Sequence, residues 1–228
     1  MKYRIETVLK MVKTAREIGA EYEAMDAENI KPCISTGNTK IGKVLNVSLM
    51  PVITCGNCRE CMCTCYDVHA CVFHGRNVIS ARMRNTVLLQ KDRDRYFSEI
   101  EKKVSRRRKN KYMRWHVAGD IIDYDYFDRM CGIAVRHPDF TFWTYTKMYA
   151  VVNRWISENG VLPSNLHVMF SAWTGVKMHN PYNLPLYICR LEGDSTDYKC
   201  FHCPGNCDVC KKSGRGCIAS ETTWIDEH

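Results

Sequence analysis

The sequence predicts an α/β fold with a parallel sheet and a cysteine-rich, metal-binding C-terminal lobe. Two observations favour this fold. Strand and helix patterns alternate between residues 112 and 173 with short connections, which is typical of parallel βαβ units. Most of the 14 cysteines also lie in two dense clusters, at 55–71 and 200–217, and this distribution indicates metal sites.

The elements follow one another in a regular order. Helices are predicted where apolar residues recur every three or four positions, and strands where β-branched and aromatic residues are dense. The predicted helices are 3–23, 76–90, 93–109, 124–136 and 148–158. The predicted strands are 45–50, 112–118, 140–146 and 165–173. Residues 1–188 would form an α/β core with an N-terminal helix and a cysteine loop, and 189–228 a cysteine-rich metal-binding tail.

Composition favours a cytosolic protein with free thiols. The chain has 228 residues, of which 45% are hydrophobic, and this suffices for one sizeable core. No apolar run approaches the ~18 residues that a membrane helix needs, and the charged, amphipathic start is unlike a signal peptide. We therefore expect a cytoplasmic protein with no membrane partner. Cysteine clusters in a reducing cytosol more often hold metal than form disulfides.

The first cluster lies in the stretch CGNCRECMCTCYD, residues 55–67. Four of its cysteines follow C-x2-C-x2-C-x3-C, the spacing of ferredoxin-type iron–sulfur loops, and they are Cys55, Cys58, Cys61 and Cys65. Structural zinc sites usually use two C-x2-C pairs that are farther apart. The spacing therefore favours an iron–sulfur cluster, and zinc remains the alternative. Cys63 is predicted to be a spare.

The second cluster lies in the tail. Its spacing is C-x2-C-P-x2-C-x2-C-x6-C, formed by Cys200, Cys203, Cys207, Cys210 and Cys217. Four of these thiols would suffice for a structural zinc site or for a second iron–sulfur cluster. The first four cysteines make two C-x2-C pairs and are the expected ligands.

Polar residues gather where the predicted strands end. In parallel α/β folds, chemistry concentrates at the carboxyl ends of the strands. The residues at those positions are His116, Asp120, Tyr145, Lys147 and Ser171. Each also has an ordinary structural explanation: the aspartate would cap the following helix, and the histidine would be a hydrogen-bonded interior residue.

The positive charge of the chain is concentrated in one region. The net charge is +8, and residues 76–114 carry 14 Lys or Arg against 4 Asp or Glu. A dense run within 102–114 predicts phosphate contacts with a nucleic acid through Arg106, Arg107, Arg108 and Lys109. The alternative is a solvated helix end, where cations suit the helix dipole.

The order of these motifs resembles the bacteriophage family called gene product 88. That family has a cysteine loop closing in CY, an R-x-H segment ending in GD, an aromatic-YT-K/R segment and terminal CxxC pairs. The matching residues here are Asn38, Lys40, Gly42, Thr54, Cys55, Cys65, Tyr66, Arg114, His116, Gly119, Asp120, Tyr145, Thr146 and Lys147. The resemblance covers residues 35–217 and implies expression in a host cytoplasm if the gene is carried by a phage.

More distantly, the layout is similar to radical S-adenosylmethionine enzymes. That resemblance implies a partial (β/α) barrel-like parallel sheet and a [4Fe–4S] cluster held by three cysteines, here Cys55, Cys61 and Cys65, with Cys58 as the fourth or a substitute. It places Gly119 and Asp120 at the cofactor amine, with Ser171 nearby. His116, Tyr145 and Lys147 would then join Asp120 as the catalytic candidates. The loop of those enzymes is C-x3-C-x2-C, and no triplet here has that spacing.

The sequence therefore predicts two alternative functions for this protein, and they belong to different functional classes. The first is a phage-type iron–sulfur protein that acts as a radical S-adenosylmethionine-like enzyme. The alternative is a zinc-stabilised nucleic-acid-binding protein that uses the basic stretch 102–114.

Overall fold

The computed structural model describes residues 2–37, 41–56, 58–59, 61–173 and 175–226. Two residues of the family-like opening motif, Asn38 and Lys40, lie outside the described residues. The helices are α1 (Ile5–Glu23), α2 (Tyr66–His74), α3 (Arg76–Lys91), α4 (Arg93–Ser105), α5 (Tyr124–Arg136), α6 (Tyr149–Asn159) and α7 (Cys207–Ser213). The strands are β1 (Ile34–Ser35), β2 (Leu45–Val47), β3 (Tyr112–Trp115), β4 (Thr141–Thr146), β5 (Leu166–Ala172), β6 (Leu186–Arg190), β7 (Phe201–His202) and β8 (Thr223–Asp226).

One sheet contains all eight of these strands, in the order β1-β2-β3-β4-β5-β6-β8-β7. β1 is antiparallel to β2, and every other neighbouring pair is parallel. The predicted α/β class with a mainly parallel sheet is confirmed. The sheet is open, because β1 and β7 lie at its two edges.

Helices α1–α6 pack on one face of the sheet, and because alternate strand residues point to opposite sides, the strands contribute to two separate apolar clusters. Phe142 and Phe170 lie in the large core that includes the helix side chains. Their chain neighbours Trp143 and Met169 lie instead in a smaller cluster together with Cys217 of the tail. The tail therefore covers the face opposite helices α1–α6. The carboxyl ends of the parallel strands form a rim between these two layers.

Helix α5 shows how the sequence sets the local boundaries. Its apolar stripe is buried against the sheet, and the Asp123 side chain caps its start by accepting a hydrogen bond from the backbone N–H of Tyr126 at 2.9 Å. Pro138 follows its end and prevents continuation. The predicted and observed bounds of this helix agree.

Some predicted bounds are wrong, each for a local reason. Strand 112–118 ends at Trp115 because His116 adopts a left-handed backbone with φ of 54°. Helix 93–109 ends at Ser105, so the basic residues 106–109 form a connection before β3. We call residues 106–109 the basic connection.

The tail adds strands to the same sheet. β8 pairs in parallel with both β6 and β7, so the C-terminal segment extends the core sheet. The sequence predicts no strand here because Asn, Pro and Gly interrupt any period-2 pattern. In the described part of the chain, no helix has the length and apolarity needed to cross a membrane.

Candidate functional site

Two cavities border the candidate residues. The larger of these two, which we call the large cavity, has about 170 Å³ and lies at the carboxyl ends of the central parallel strands. It is lined by polar residues in the segment after β3 and at the ends of β4 and β5, and by thiols of the cysteine loop that follows β2. The predicted residues that line it are Cys55, Cys61, Cys65, His116, Gly119, Asp120, Tyr145, Lys147 and Ser171. The structure therefore brings the two sets of sequence candidates, thiols and polar rim, to one place.

Three thiols of the loop interact directly. The Cys58 thiol hydrogen-bonds with the thiols of Cys55 and Cys61. A tight turn makes this possible, because the backbone N–H groups of Cys61 and Met62 both donate to the Cys58 carbonyl at 3.0 Å. The hydrogen bond with Cys58 lowers the pKa of Cys61 to about 6, with a further contribution from the ammonium of Lys147.

The remaining loop cysteines differ in their surroundings. Cys65 precedes helix α2, and burial raises the pKa of its thiol to about 12. Cys63 packs against the large core, and its carbonyl accepts a hydrogen bond from the backbone N–H of Tyr3 at 2.7 Å. Neither Cys63 nor Cys58 is among the residues that line the cavity, so the lining does not distinguish the predicted spare from the fourth predicted ligand.

Asp120 ties the ends of two neighbouring strands together. Its Oδ1 accepts hydrogen bonds from the Thr146 hydroxyl at 2.6 Å and from the backbone N–H of Ile121 at 2.7 Å. Its Oδ2 accepts one from the backbone N–H of Lys147 at 3.0 Å. Burial raises the pKa of Asp120 despite these bonds. The alternative prediction, that Asp120 caps the next helix, is wrong, because Asp123 fills that role.

Lys147 connects strand β4 to the cysteine loop. Its ammonium nitrogen lies 3.4 Å from the sulfur of Cys61 and 5.2 Å from the centre of the Trp173 ring. Burial disfavours the charged form, yet the negative charges of Cys61 and Asp120 raise the pKa of Lys147 above its usual value. A cation therefore stands beside the thiol group.

His116 is a buried, neutral residue. Its ring nitrogens are hydrogen-bonded to the Thr144 hydroxyl at 3.2 Å and to the Tyr126 hydroxyl at 2.9 Å. Burial, and then the nearby charge of Arg114, lower the pKa of His116 to about 3. The ring lines the cavity, but its two nitrogens are already engaged with protein groups.

Gly119 allows the segment after β2 to approach β3 closely. It has a φ of 82°, and a Cβ at this position would lie 2.7 Å from Cβ of Leu49 and 2.8 Å from Oγ1 of Thr54. The backbone N–H of Leu49 donates to the carbonyl of Ala118 next to it at 2.9 Å. The cysteine loop can reach the cavity because this residue has no side chain.

A second, smaller cavity of about 40 Å³ lies between the tail and the sheet. Its walls include Cys203, Cys207, Cys210 and Cys217, whereas Cys200 lies outside it. The hydroxyl of Tyr145 donates to the sulfur of Cys217 at 2.9 Å. Within the described parts of the chain, no three His, Cys, Asp or Glu side chains are arranged closely enough to hold a metal ion as they stand.

Three side chains line both cavities and separate them. They are Arg114, Tyr145 and Tyr187. The guanidinium of Arg114 lies 4.7 Å from the ring centre of Tyr145, whose ring packs 4.2 Å from that of Tyr187. Arg114 was predicted as a family-motif residue within the basic stretch 102–114, but neither it nor Tyr187 was predicted at a cofactor or metal site. An arginine inside an otherwise apolar strand was the signal for the first of them.

The basic connection lies at the amino ends of the parallel strands, away from the large cavity. It precedes β3, whereas the cavity is formed by residues at the carboxyl ends of the strands. Arg107 is bound to backbone carbonyls, including that of Lys43 at 3.1 Å. Arg106, Arg108 and Lys109 are exposed. The predicted nucleic-acid residues and the predicted cofactor residues are therefore on different sides of the molecule.

The comparisons with known proteins address the family of the chain. A family model described as gene product 88 matches residues 24–224, which include the cysteine loop, the strand-end rim and all five tail cysteines. No curated protein and no solved structure matches the chain. The likeness to radical S-adenosylmethionine enzymes therefore stays a prediction. The chain itself belongs to the gene product 88 family.

Proposed function

We propose that this protein is an iron–sulfur enzyme of the radical S-adenosylmethionine type. The observation that carries the proposal is the shared cavity: the thiols of Cys55, Cys61 and Cys65 line the same space as Gly119 and Asp120. A cluster held by three cysteines, when bound, would supply one electron and an iron with an open position to the cofactor. The cavity lies at the strand ends where α/β enzymes bind ligands.

The donor set fits a thiolate-bound cluster. The Cys58 thiol is hydrogen-bonded with two of the proposed ligands, Cys55 and Cys61, and the Lys147 ammonium lies 3.4 Å from the sulfur of Cys61. Thiolates repel one another, and a neighbouring cation offsets part of that cost. The spacing C-x5-C-x3-C is longer than the usual C-x3-C-x2-C. The turn at Cys58 takes up the additional residues.

Asp120 is suited to receive an ammonium group of a bound cofactor. A carboxylate offers about four acceptor positions, and protein donors occupy three of them. The position that remains is on Oδ2 of a carboxylate that lines the cavity. The same three hydrogen bonds hold the carboxylate in place, so a ligand would meet a preorganised acceptor.

The first test is the metal content of protein made and purified without oxygen. We expect iron and acid-labile sulfide, and a broad absorption that dithionite bleaches. Cys61→Ser should lose most of this absorption, because its thiol lines the cavity. Cys63→Ser is the matched control and should keep it, because Cys63 packs against the core. Colourless wild-type protein that contains zinc alone would contradict the proposal.

The second test is calorimetric titration of the cluster-loaded protein with S-adenosylmethionine. Asp120→Asn should weaken binding about 10-fold or more, since a hydrogen bond between charged groups contributes about 1.5–3 kcal/mol. Thermal unfolding of the same variant shows whether the strand-end contacts persist. Absence of binding to the intact wild-type protein would remove the cofactor from the proposal.

A second candidate function is zinc-stabilised nucleic-acid binding. It is favoured by the exposed side chains of Arg106, Arg108 and Lys109. None of the three has an acidic partner in the part of the chain that the structure describes. Exposed cations of this kind suit contacts with phosphates.

A further inference from the structure

We infer that the C-terminal tail holds a structural zinc ion through Cys203, Cys207, Cys210 and Cys217, with Arg114 as the neighbouring counter-charge. This ligand set differs from the one that the sequence spacing favours, since it replaces Cys200 with Cys217. The inference goes beyond the proposed function and does not depend on it, because the tail cavity is separate from the large cavity.

The fold brings these four thiols to one small space. Cys207 and Cys210 lie three residues apart in helix α7, so they share one face of that helix. Cys203 precedes a turn at Gly205, whose φ is 70°. Cys217 lies in a short 3₁₀ turn on the other side of the cavity. All four line the cavity of about 40 Å³.

Gly216 permits the turn that carries Cys217 to come close to the helix. A Cβ at Gly216 would lie 2.8 Å from a ring carbon of Phe201 and 3.5 Å from the sulfur of Cys210. Any larger residue would push this turn away from the other thiols. The approach of Cys217 to Cys210 is therefore built into the local backbone.

Arg114 supplies an independent argument for negative charge at this place. It lines the small cavity as well as the large one, and its buried Nε has no hydrogen-bond partner within the described residues. No carboxylate within the described residues pairs with its guanidinium, which instead stacks on Tyr145 at 4.7 Å. A partly buried cation without a counter-charge is costly. A zinc ion with four thiolates has two excess negative charges and would compensate Arg114.

The size of the cavity favours zinc over an iron–sulfur cluster. About 40 Å³ accommodates one ion among four sulfurs, whereas a [4Fe–4S] cluster brings eight atoms. Structural zinc sites are closed and have four protein ligands, and this cavity lies between the tail and the sheet. On binding, the four thiols release their protons to solvent and the sulfurs close around the ion to about 2.3 Å.

The zinc ion would clamp the tail onto the wall of the large cavity. The Tyr145 hydroxyl donates to the sulfur of Cys217 at 2.9 Å, and the ring of Tyr145 lines both cavities. Ordering of the tail by the metal would therefore also fix one wall of the large cavity. A metal that holds a segment in this way contributes its binding free energy to folding.

The test is the zinc content of the full-length protein and of four single variants. Wild type should hold about one zinc ion per chain. Cys217→Ser and Cys207→Ser should lose it, whereas Cys200→Ser and the loop variant Cys61→Ser should keep it. Loss of zinc in Cys200→Ser, or its retention in Cys217→Ser, would overturn the ligand set. Loss in Cys61→Ser would place the zinc in the loop and overturn the tail site.

A second measurement uses wild-type protein alone, in case a tail variant does not fold. Folded protein is alkylated with N-ethylmaleimide before and after treatment with a chelator, and labelled cysteines are mapped by mass spectrometry. We expect Cys203, Cys207, Cys210 and Cys217 to react only after chelation, and Cys200 to react in both samples. Equal labelling of the four thiols with and without chelator would refute the site.

Discussion

Gly119 offers a sharp test of how the cysteine loop is positioned. Replacement by alanine has two costs that can be separated. The first is the left-handed backbone, φ of 82°, which costs a residue with a side chain about 1–2 kcal/mol. The second is the clash of the new methyl group with Leu49 at 2.7 Å and Thr54 at 2.8 Å. Such overpacking costs about 1–3 kcal/mol, so the total is about 2–5 kcal/mol.

Gly193→Ala is the matched control. Gly193 has a nearly identical φ of 86°, but a Cβ there would have no atom of the described residues within 4 Å. It should therefore lose only the backbone contribution of about 1–2 kcal/mol. The difference between the two variants measures the close approach of the loop to β3. It should be about 1–3 kcal/mol in favour of the control.

Urea denaturation followed by tryptophan fluorescence measures both free energies of unfolding, since the chain has five tryptophans. The Gly119 variant should also show lower cluster or metal occupancy, because Thr54 immediately precedes Cys55. Equal destabilisation of the two variants would refute the argument that contact with Leu49 and Thr54 requires glycine at this position.

Three further predictions concern stability and charge. Asp67 has 2% of its side chain exposed and accepts two hydrogen bonds from Arg82, so Asp67→Asn should lower the free energy of unfolding by about 3–5 kcal/mol in urea denaturation. The control Glu21→Gln removes a charge from an exposed ion pair and should lower it by less than about 1 kcal/mol. Burial keeps the folded pKa of His116 at about 3, so below about pH 6.5 only the unfolded chain takes up this proton. As pH falls from 6 to 5, wild-type stability should therefore fall by about 1.2 kcal/mol more than that of His116→Asn, and parallel curves would contradict a buried neutral ring. Replacing the three exposed side chains of the basic connection with glutamine should flatten the slope of log affinity against log salt concentration for single-stranded DNA. An unchanged slope would mean that these side chains make no phosphate contacts and are simply solvated residues after the end of a helix.

Local sequence patterns were sufficient to predict five of the seven α-helices of the described residues, the central strands and the residues at their carboxyl ends, whereas α2 and α7 were not predicted. These features depend on local patterns: apolar periodicity, Pro138 after α5, and the rule that parallel strands end at one rim. The same logic explains why Asp120 and Lys147 could be expected beside the cysteine loop. The partners of these residues follow from the tertiary structure alone. Asp120 accepts a hydrogen bond from Thr146 on the neighbouring strand, and Lys147 contacts Cys61, which is distant from it in sequence.

The tail shows the limit of sequence spacing most clearly. Spacing favours Cys200 with the next three cysteines, because neighbouring C-x2-C pairs are local. The fold instead places Cys217 on the small cavity and leaves Cys200 outside it, since β8 joins the sheet and carries the preceding turn over strand β4. Arg114 likewise acquires its position between two cavities only when the tail covers its face of the sheet. Contacts between distant segments follow from packing, and local patterns do not encode them.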